Sequence, residues 1–229
     1  MASSLNNLTC LLHFSLLLAT SSSWITVFTF HVPMKTTYIH PLNCSIETTA
    51  NTTCIASLYH ITRDDYYTLQ QIAFDYSVNT SRINPITHGT RQGYLITVPC
   101  SCTNSTQSLN GGFYYFYHTT YKNVKKGDIF VNISNTFYSG QAMPINRVMV
   151  PGQDLPIDIP CGCSNQRVVT YTVQQNDTLE KISLLLNSTL PALLRMNKIL
   201  AHKPSFLDAS WVLFVPLDLN GVPPTTHTK

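Results

Sequence analysis

Residues 171–182 (YTVQQNDTLEKI) change hydrophobic rhythm midway. Tyr171 and Val173 alternate with polar neighbours as in a half-buried strand, a polar turn follows, and Leu179, Ile182 and Leu186 then recur at helical spacing. Asp177 or Thr178 is placed to cap that helix. Residues 191–197 (PALLRMN) predict a second short helix with proline in its first turn. Residues 213–216 (LFVP) predict a closing strand. The segment therefore reads as strand, helix, helix, strand.

The same order recurs twice upstream in looser form. Residues 121–133 (YKNVKKGDIFVNI) give a strand end, a turn at Gly127 and Asp128, and a helix, with a compressed second helix expected around 141–148. The first copy is the loosest: a strand around Tyr59, a helix over 68–78 (TLQQIAFDYSV), then Ile83. All three copies close alike, on 96–99 (ITVP), 157–160 (IDIP) and 213–216 (LFVP). Proline has no N–H to give a ladder, so each is expected at a strand end. The pattern predicts an α+β chain of three tandem βααβ units of roughly 45–55 residues, each too small to bury a generous core alone.

That deficit gives the cysteines a purpose. Cys10 falls in an apolar leader, leaving Cys44, Cys54, Cys100, Cys102, Cys161 and Cys163. The last four form two Cys-x-Cys pairs placed directly after the first two closing prolines. Bridges from the N-terminal segment to these junctions would clamp the units, each stabilising by ~2–5 kcal/mol in a small secreted domain. Zinc is the competing reading, but zinc ribbons favour Cys-x2-Cys spacing and reducing compartments, so no metal is expected. Six cysteines permit fifteen connectivities, and spacing does not choose among them.

The compartment follows from the leader and the sequons. No charged residue precedes Lys35, and residues 8–19 form a short apolar run before the small residues at 20–23. This reads as a signal peptide within residues 1–30, cut at about 20–30. Asn-x-Ser/Thr sequons stand at Asn43, Asn51, Asn79, Asn104, Asn132, Asn176 and Asn187, predicting a glycosylated surface. Charged residues make up 11% of the chain and the net charge is +3, with Lys125 and Lys126 the one adjacent basic pair. That is too little cationic surface for a nucleic-acid groove.

Residues 171–179 with Asn197 and the 213–216 strand resemble the LysM pattern: a tyrosine-valine strand, a GDT-like turn, an asparagine after the second helix and a closing L-x-V-P. Three such units with two Cys-x-Cys spacers are similar to the ectodomains of plant LysM receptor kinases and LysM receptor-like proteins. The resemblance implies units at 44–102, 113–163 and 167–218, with 219–229 a proline-bearing linker or tail. It implies the disulfides Cys44–Cys102, Cys54–Cys163 and Cys100–Cys161. It also implies a glycan ligand: chitin oligomers, lipo-chitooligosaccharides, peptidoglycan or, in one branch, bacterial exopolysaccharide. The first unit departs from the pattern, with 63–67 (RDDYY) where a GDT-like turn is expected, and the middle unit carries Gly-Asp-Ile129. These divergent units keep the exopolysaccharide branch open.

In this family the sugar groove lies between the turn after the first strand and the loop before the last. Turn N–H and C=O groups there can pair with an N-acetyl group while small apolar side chains receive its methyl. Carried over to the middle unit, one wall is Lys126, Gly127, Ile129 and Val131, and the other is Met149, Val150, Pro151, Gly152 and Gln153. The second choice is Gln175, Asn176, Thr178 and Glu180 of the third unit, facing 201–207, although a glycan on Asn176 would obstruct that groove. The plainer reading makes Gly127 and Asp128 a tight turn and helix cap, as Asp177 would be. The aromatic run 113–117 (FYYFY) resembles a stacking platform, but its pattern is first that of a strand.

An enzyme is not expected. A glycosidase needs two carboxylates flanking a cleft, yet the chain has two glutamates, Glu47 and Glu180, and Asp128 and Asp177 are explained by turns. No nucleophile elbow, zinc-protease helix or phosphate loop occurs, and no cofactor is implied. The competing class is an interaction scaffold that keeps the fold without binding sugar. The tail at 220–229 is read either as the end of a soluble receptor-like form or as a stop just before a membrane span. A soluble form would need a membrane-bound LysM receptor kinase as co-receptor.

Overall fold

The computed structural model of the chain describes residues 39–45, 53–62, 67–88, 91–104, 112–143, 148–202 and 207–217. The predicted leader, Asn51, the 63–66 loop and the tail lie outside these residues. Seven strands form one sheet: β1 (Thr53–Ile61), β2 (Ile83–His88), β3 (Arg91–Asn104), β4 (Phe113–Tyr121), β5 (Leu155–Pro160), β6 (Val168–Thr172) and β7 (Val212–Pro216). Helices α1 (Leu69–Asp75), α2 (Phe130–Phe137), α3 (Leu179–Leu185), α4 (Leu190–Met196) and α5 (Lys198–His202) intervene. The strand order is β5-β4-β3-β1-β6-β7, with β2 hydrogen-bonded to β3.

Three antiparallel pairs, β1 with β3, β4 with β5 and β6 with β7, bracket three segments of the chain. The α+β expectation is met, but strand, helix, helix, strand is complete only in the third segment, where α5 is added. In the first, a 3₁₀ turn at Thr80–Arg82 replaces the second helix, and β2 makes an extra hairpin with β3. In the middle segment α2 is the one described helix. Residues 141–143 are not helical, and 144–147 lie outside the described residues.

β1 explains why strict alternation was hard to see in the first segment. Ala56 and Leu58 enter one core with Ile72 of α1 and Ile133 of α2, while Tyr59 and Ile61 enter another with Ile182 and Leu193. Helices therefore cover both faces of the central strand, and all of 56–61 is buried. A strand buried on both faces needs no polar side.

Pro99 corrects one expectation. It lies inside β3, not at its end, whereas Pro160 and Pro216 do close β5 and β7. On the flank away from β1, β2 pairs with β3 up to Ile96 and β4 from Ser101 onward. Pro99 falls between them, where no ladder asks for an N–H on that flank.

The disulfides are Cys44–Cys102, Cys54–Cys163 and Cys100–Cys161, the pairing that the resemblance implies. They span 58, 109 and 61 residues. Loop-entropy reasoning gives ~4–5 kcal/mol each, less where the loops overlap. The sulfurs of Cys54, Cys100 and Cys163 converge within 4.8 Å of one another. Each is committed to a disulfide, so this cluster offers no thiolate to a metal.

Candidate functional site

The two walls expected in the middle segment are built side by side. Val124 N–H donates to Gln153 O at 2.9 Å and Gly152 N–H donates to Val124 O at 2.8 Å. Below them, Asp154 accepts the Asn123 amide at 3.1 Å and the Lys122 ammonium at 2.7 Å. The turn after β4 and the turn before β5 are thereby held together by backbone bonds. Gly127 (φ +92°) and Gly152 (φ +85°) sit at their tips, each with open space where a Cβ would stand. Those left-handed conformations favour glycine and leave no side chain over either tip, although the Gly152 N–H is already given to Val124 O.

The side chains around these tips are apolar and exposed. Ile129 is 48% exposed, Val131 36%, Val148 87% and Val150 42%. Lys125 and Lys126 are exposed beside them, while Met149 turns inward against the core. Four solvent-facing apolar residues around bare backbone make a surface suited to a ligand with both methyl and amide groups.

The third segment repeats the frame with different chemistry at the tips. Val173 N–H donates to Trp211 O at 2.8 Å and Ser210 N–H donates to Val173 O at 2.9 Å, mirroring Val124, Gln153 and Gly152. Asn176 and Ser210 take the left-handed positions, at φ +67° and +79°. Gln175, Asn176, Thr178 and Glu180 are exposed. The Lys181 ammonium bonds the Asn176 carbonyl at 3.0 Å, occupying backbone that a ligand would need. Most of the opposing wall, 203–206, lies outside the described residues.

The helix caps need one correction. Thr178 caps α3 by accepting the Lys181 amide at 3.2 Å, and Asp177 does not cap. Asp128 does not cap α2 either; its cap position is Ile129, which has no side-chain acceptor. Both aspartates close their turns instead. In the first segment Thr68 caps α1 in a capping box with Gln71. The 63–66 stretch before it lies outside the described residues.

The aromatic run forms β4, with Phe116 and Tyr117 buried and Phe113 37% exposed. Asn43, Asn79, Asn104, Asn132 and Asn176 are exposed and Asn187 is half-buried. Sequence reasoning missed a buried polar cluster between the first two segments. His60 Nδ1 lies 3.1 Å from both the Tyr76 hydroxyl and the Ser139 hydroxyl. Gln141 Nε2 donates to Tyr59 O at 2.5 Å, and the Tyr117 phenol donates to Tyr76 O. Burial pushes the His60 pKa down to about 4 and that of Asp75 up to about 7. The cluster lies within the fold and serves packing.

Residues 171–216 match the LysM domain family. Two solved structures share the fold over most of the chain. One is described as the ectodomain of a receptor like kinase: 18% identity, TM-score 0.54, covering 78% of this chain and 100% of that one. The other is the LYK3 ectodomain: 17% identity, TM-score 0.52, covering 76% and 96%. No curated protein matches the sequence significantly. The chain thus contains a LysM domain. As a whole it has the α+β fold of these receptor ectodomains, including three disulfides of its own.

Proposed function

We propose that this chain is an extracellular carbohydrate-binding receptor module of three LysM units (44–102, 113–163 and 167–218) that recognises N-acetylglucosamine-containing glycans through its middle unit. The observation that carries the reading is the pair of hydrogen-bonded turns, with tips at Gly127 and Gly152 that carry no side chain and Ile129, Val131 and Val150 exposed around them. The LysM match in the third unit and the receptor-ectodomain fold support the class. Disulfides and exposed sequons suit an oxidising, secretory route, with residues 1–30 as leader. A shallow groove binds weakly alone, so engagement of one long glycan by this chain and a membrane-bound LysM receptor kinase would raise avidity.

One observation favours a second reading, a binder of bacterial exopolysaccharide. The first segment runs strand, helix, strand, strand and the middle one has a single described helix, so two of three units depart from the form expected of a chitin binder. Biolayer interferometry of the secreted, glycosylated chain against chitin oligomers, peptidoglycan fragments and exopolysaccharide tests both. Chitin-oligomer binding that strengthens with length and is lost when 126–131 is rebuilt supports the middle groove. Binding to exopolysaccharide alone moves the ligand to the second reading. No binding to any of these glycans by the folded, oxidised protein leaves an interaction scaffold.

A further inference from the structure

A second concavity lies away from the middle groove. A cleft of about 710 Å³ opens between the extended segment at 40–43, Tyr115 of β4, the end of α4 with α5, and the start of β7. A shallower hollow of about 430 Å³ adjoins it, sharing Arg195 and Met196 and running on to Ser164, Asn165 and Gln166. Together they form a trough along α4 with Arg195 common to both halves. None of residues 174–180, the turn wall of the third unit's groove, lines it.

The trough has a definite chemistry. Trp211 and Tyr115 line it, both half-buried. Arg195 and Lys198 are exposed at its edge, and neither makes a hydrogen bond or ion pair with a described residue. Among the described residues lining either hollow there is no carboxylate. A concave site whose described lining holds two cations and no acid favours an anion, and the guanidinium fork matches a carboxylate in particular. Half-buried aromatic rings offer the flat apolar face on which a pyranose packs. The far end, at Ser164, Asn165 and Gln166, is polar, which suits a polyhydroxylated ligand better than an acyl chain.

We propose that this trough is a second glycan site, selective for uronic-acid oligosaccharides, with the carboxylate held by Arg195 and Lys198 and a sugar face packed on Trp211. It rests on the reading above only in taking a sugar as occupant; the residues are different and the two sites fail separately. The chain has two tryptophans, Trp24 and Trp211. Trp24 falls within the leader read at residues 1–30, so Trp211 is the sole indole of a chain cleaved after it, and its fluorescence reports on the trough.

Asn43, a sequon, also lines the cleft, so the test titrates the secreted chain and its Asn43→Gln variant with α-1,4-trigalacturonate, a glucuronan trimer, methyl-esterified trigalacturonate and chitotetraose. We expect a saturable change with a free uronate that weakens as salt rises, as screening of exposed charge requires. Arg195→Ala with Lys198→Ala lowers that affinity by about tenfold or more, the scale of a lost charge-assisted hydrogen bond. Both side chains are exposed, and an unchanged melting temperature verifies folding. Arg195→Lys keeps the charge but loses the fork, so it falls between the two. The stronger of the galacturonate and glucuronan arms identifies the source of the acid. No response to either acid, equal response to acid and ester, or undiminished binding by the double variant overturns the proposal. Chitotetraose binding that fails on the interferometer while the uronate signal persists overturns the middle-groove reading alone.

Discussion

The phenol of Tyr171 donates to Oδ2 of Asp177 at 2.7 Å, and the same oxygen accepts the Gln174 amide at 2.8 Å. Tyr121 and Lys125 place the same pair of bonds on Asp128, at 3.2 and 2.8 Å. In both segments the turn aspartate ties the strand before it to the turn it closes. Burial, reinforced by the neighbouring carboxylate, holds the Tyr171 hydroxyl far above its ordinary pKa, so it stays a donor. The cap position falls on the next residue along, which is Thr178, a capping side chain, in one segment and Ile129, which has no acceptor, in the other.

Asp177→Ala should therefore destabilise the chain through the turn. It leaves a fully buried tyrosine hydroxyl and one amide short of an acceptor, which costs about 1–3 kcal/mol. Thermal melts of Asp177→Ala and Asp177→Asn check this. The asparagine keeps an acceptor oxygen and should recover part of the loss. Equal losses for both would mean that the charge, and not the acceptor, matters.

Ile129→Thr should stabilise the protein. Ile129 already has the extended conformation of a cap residue (φ −121°, ψ 140°) and lacks only an acceptor for the free amides of the first turn of α2. Supplying it adds roughly 0.5–1 kcal/mol. The substitution also removes an apolar residue from the proposed wall, so chitin-oligomer affinity should fall as the melting temperature rises. A fall in both would argue that Ile129 is needed for packing.

The third segment was legible because every local signal agreed: polar turn, cap, Leu179, Ile182 and Leu186 on one buried face, and Asn197. The first segment was less so. β1 is covered on both sides and shows no alternation, and the hairpin of β2 with β3 has no counterpart in the other segments to compare. The middle walls could be placed because they repeat a known unit frame. The Arg195 trough could not, because its parts lie at 40–43, 115, 163–166, 192–199 and 211–216 and meet only through the sheet order. Trp211 was the one local hint, a large aromatic in a polar loop ahead of a strand.

Asn197 should be among the most sensitive polar residues. It is 6% exposed, and its amide donates to Leu193 O at 2.8 Å and Phe214 O at 2.7 Å while accepting the Phe214 amide at 2.8 Å. One side chain thus satisfies the end of α4 and locks β7 to it. Asn197→Ala strands the Phe214 amide and carbonyl, while Leu193 O keeps the backbone amide of residue 197; it should cost roughly 3 kcal/mol, and Asn197→Asp, which cannot donate, should cost as much or more. Urea unfolding of the oxidised protein measures both. A loss below about 1 kcal/mol for the alanine variant would show that water replaces the side chain.

Buried His60 and half-buried Asp75 should flatten the pH dependence of stability across the mildly acidic range. Burial lowers the His60 pKa from its ordinary 6.5 to about 4, so the unfolded chain binds more protons there. Its contribution is complete above pH 6.5 and is lost as pH falls through about 4. Asp75 is the reverse. Its pKa is raised from 3.8 to about 7, so the folded chain binds more protons, and its contribution is complete below 3.8 and lost as pH rises through about 7. Between about pH 4 and 6.5 the two slopes oppose, and the melting temperature should hold a plateau. Asp75→Asn removes one slope, so stability should rise steadily with pH over that window and exceed the parent near neutrality. His60→Gln should leave the opposite tilt, stability falling as pH climbs toward 7. Melts at a series of pH values on the parent and both variants decide it. Parallel curves for all three would mean that neither group carries its shifted titration in the folded protein.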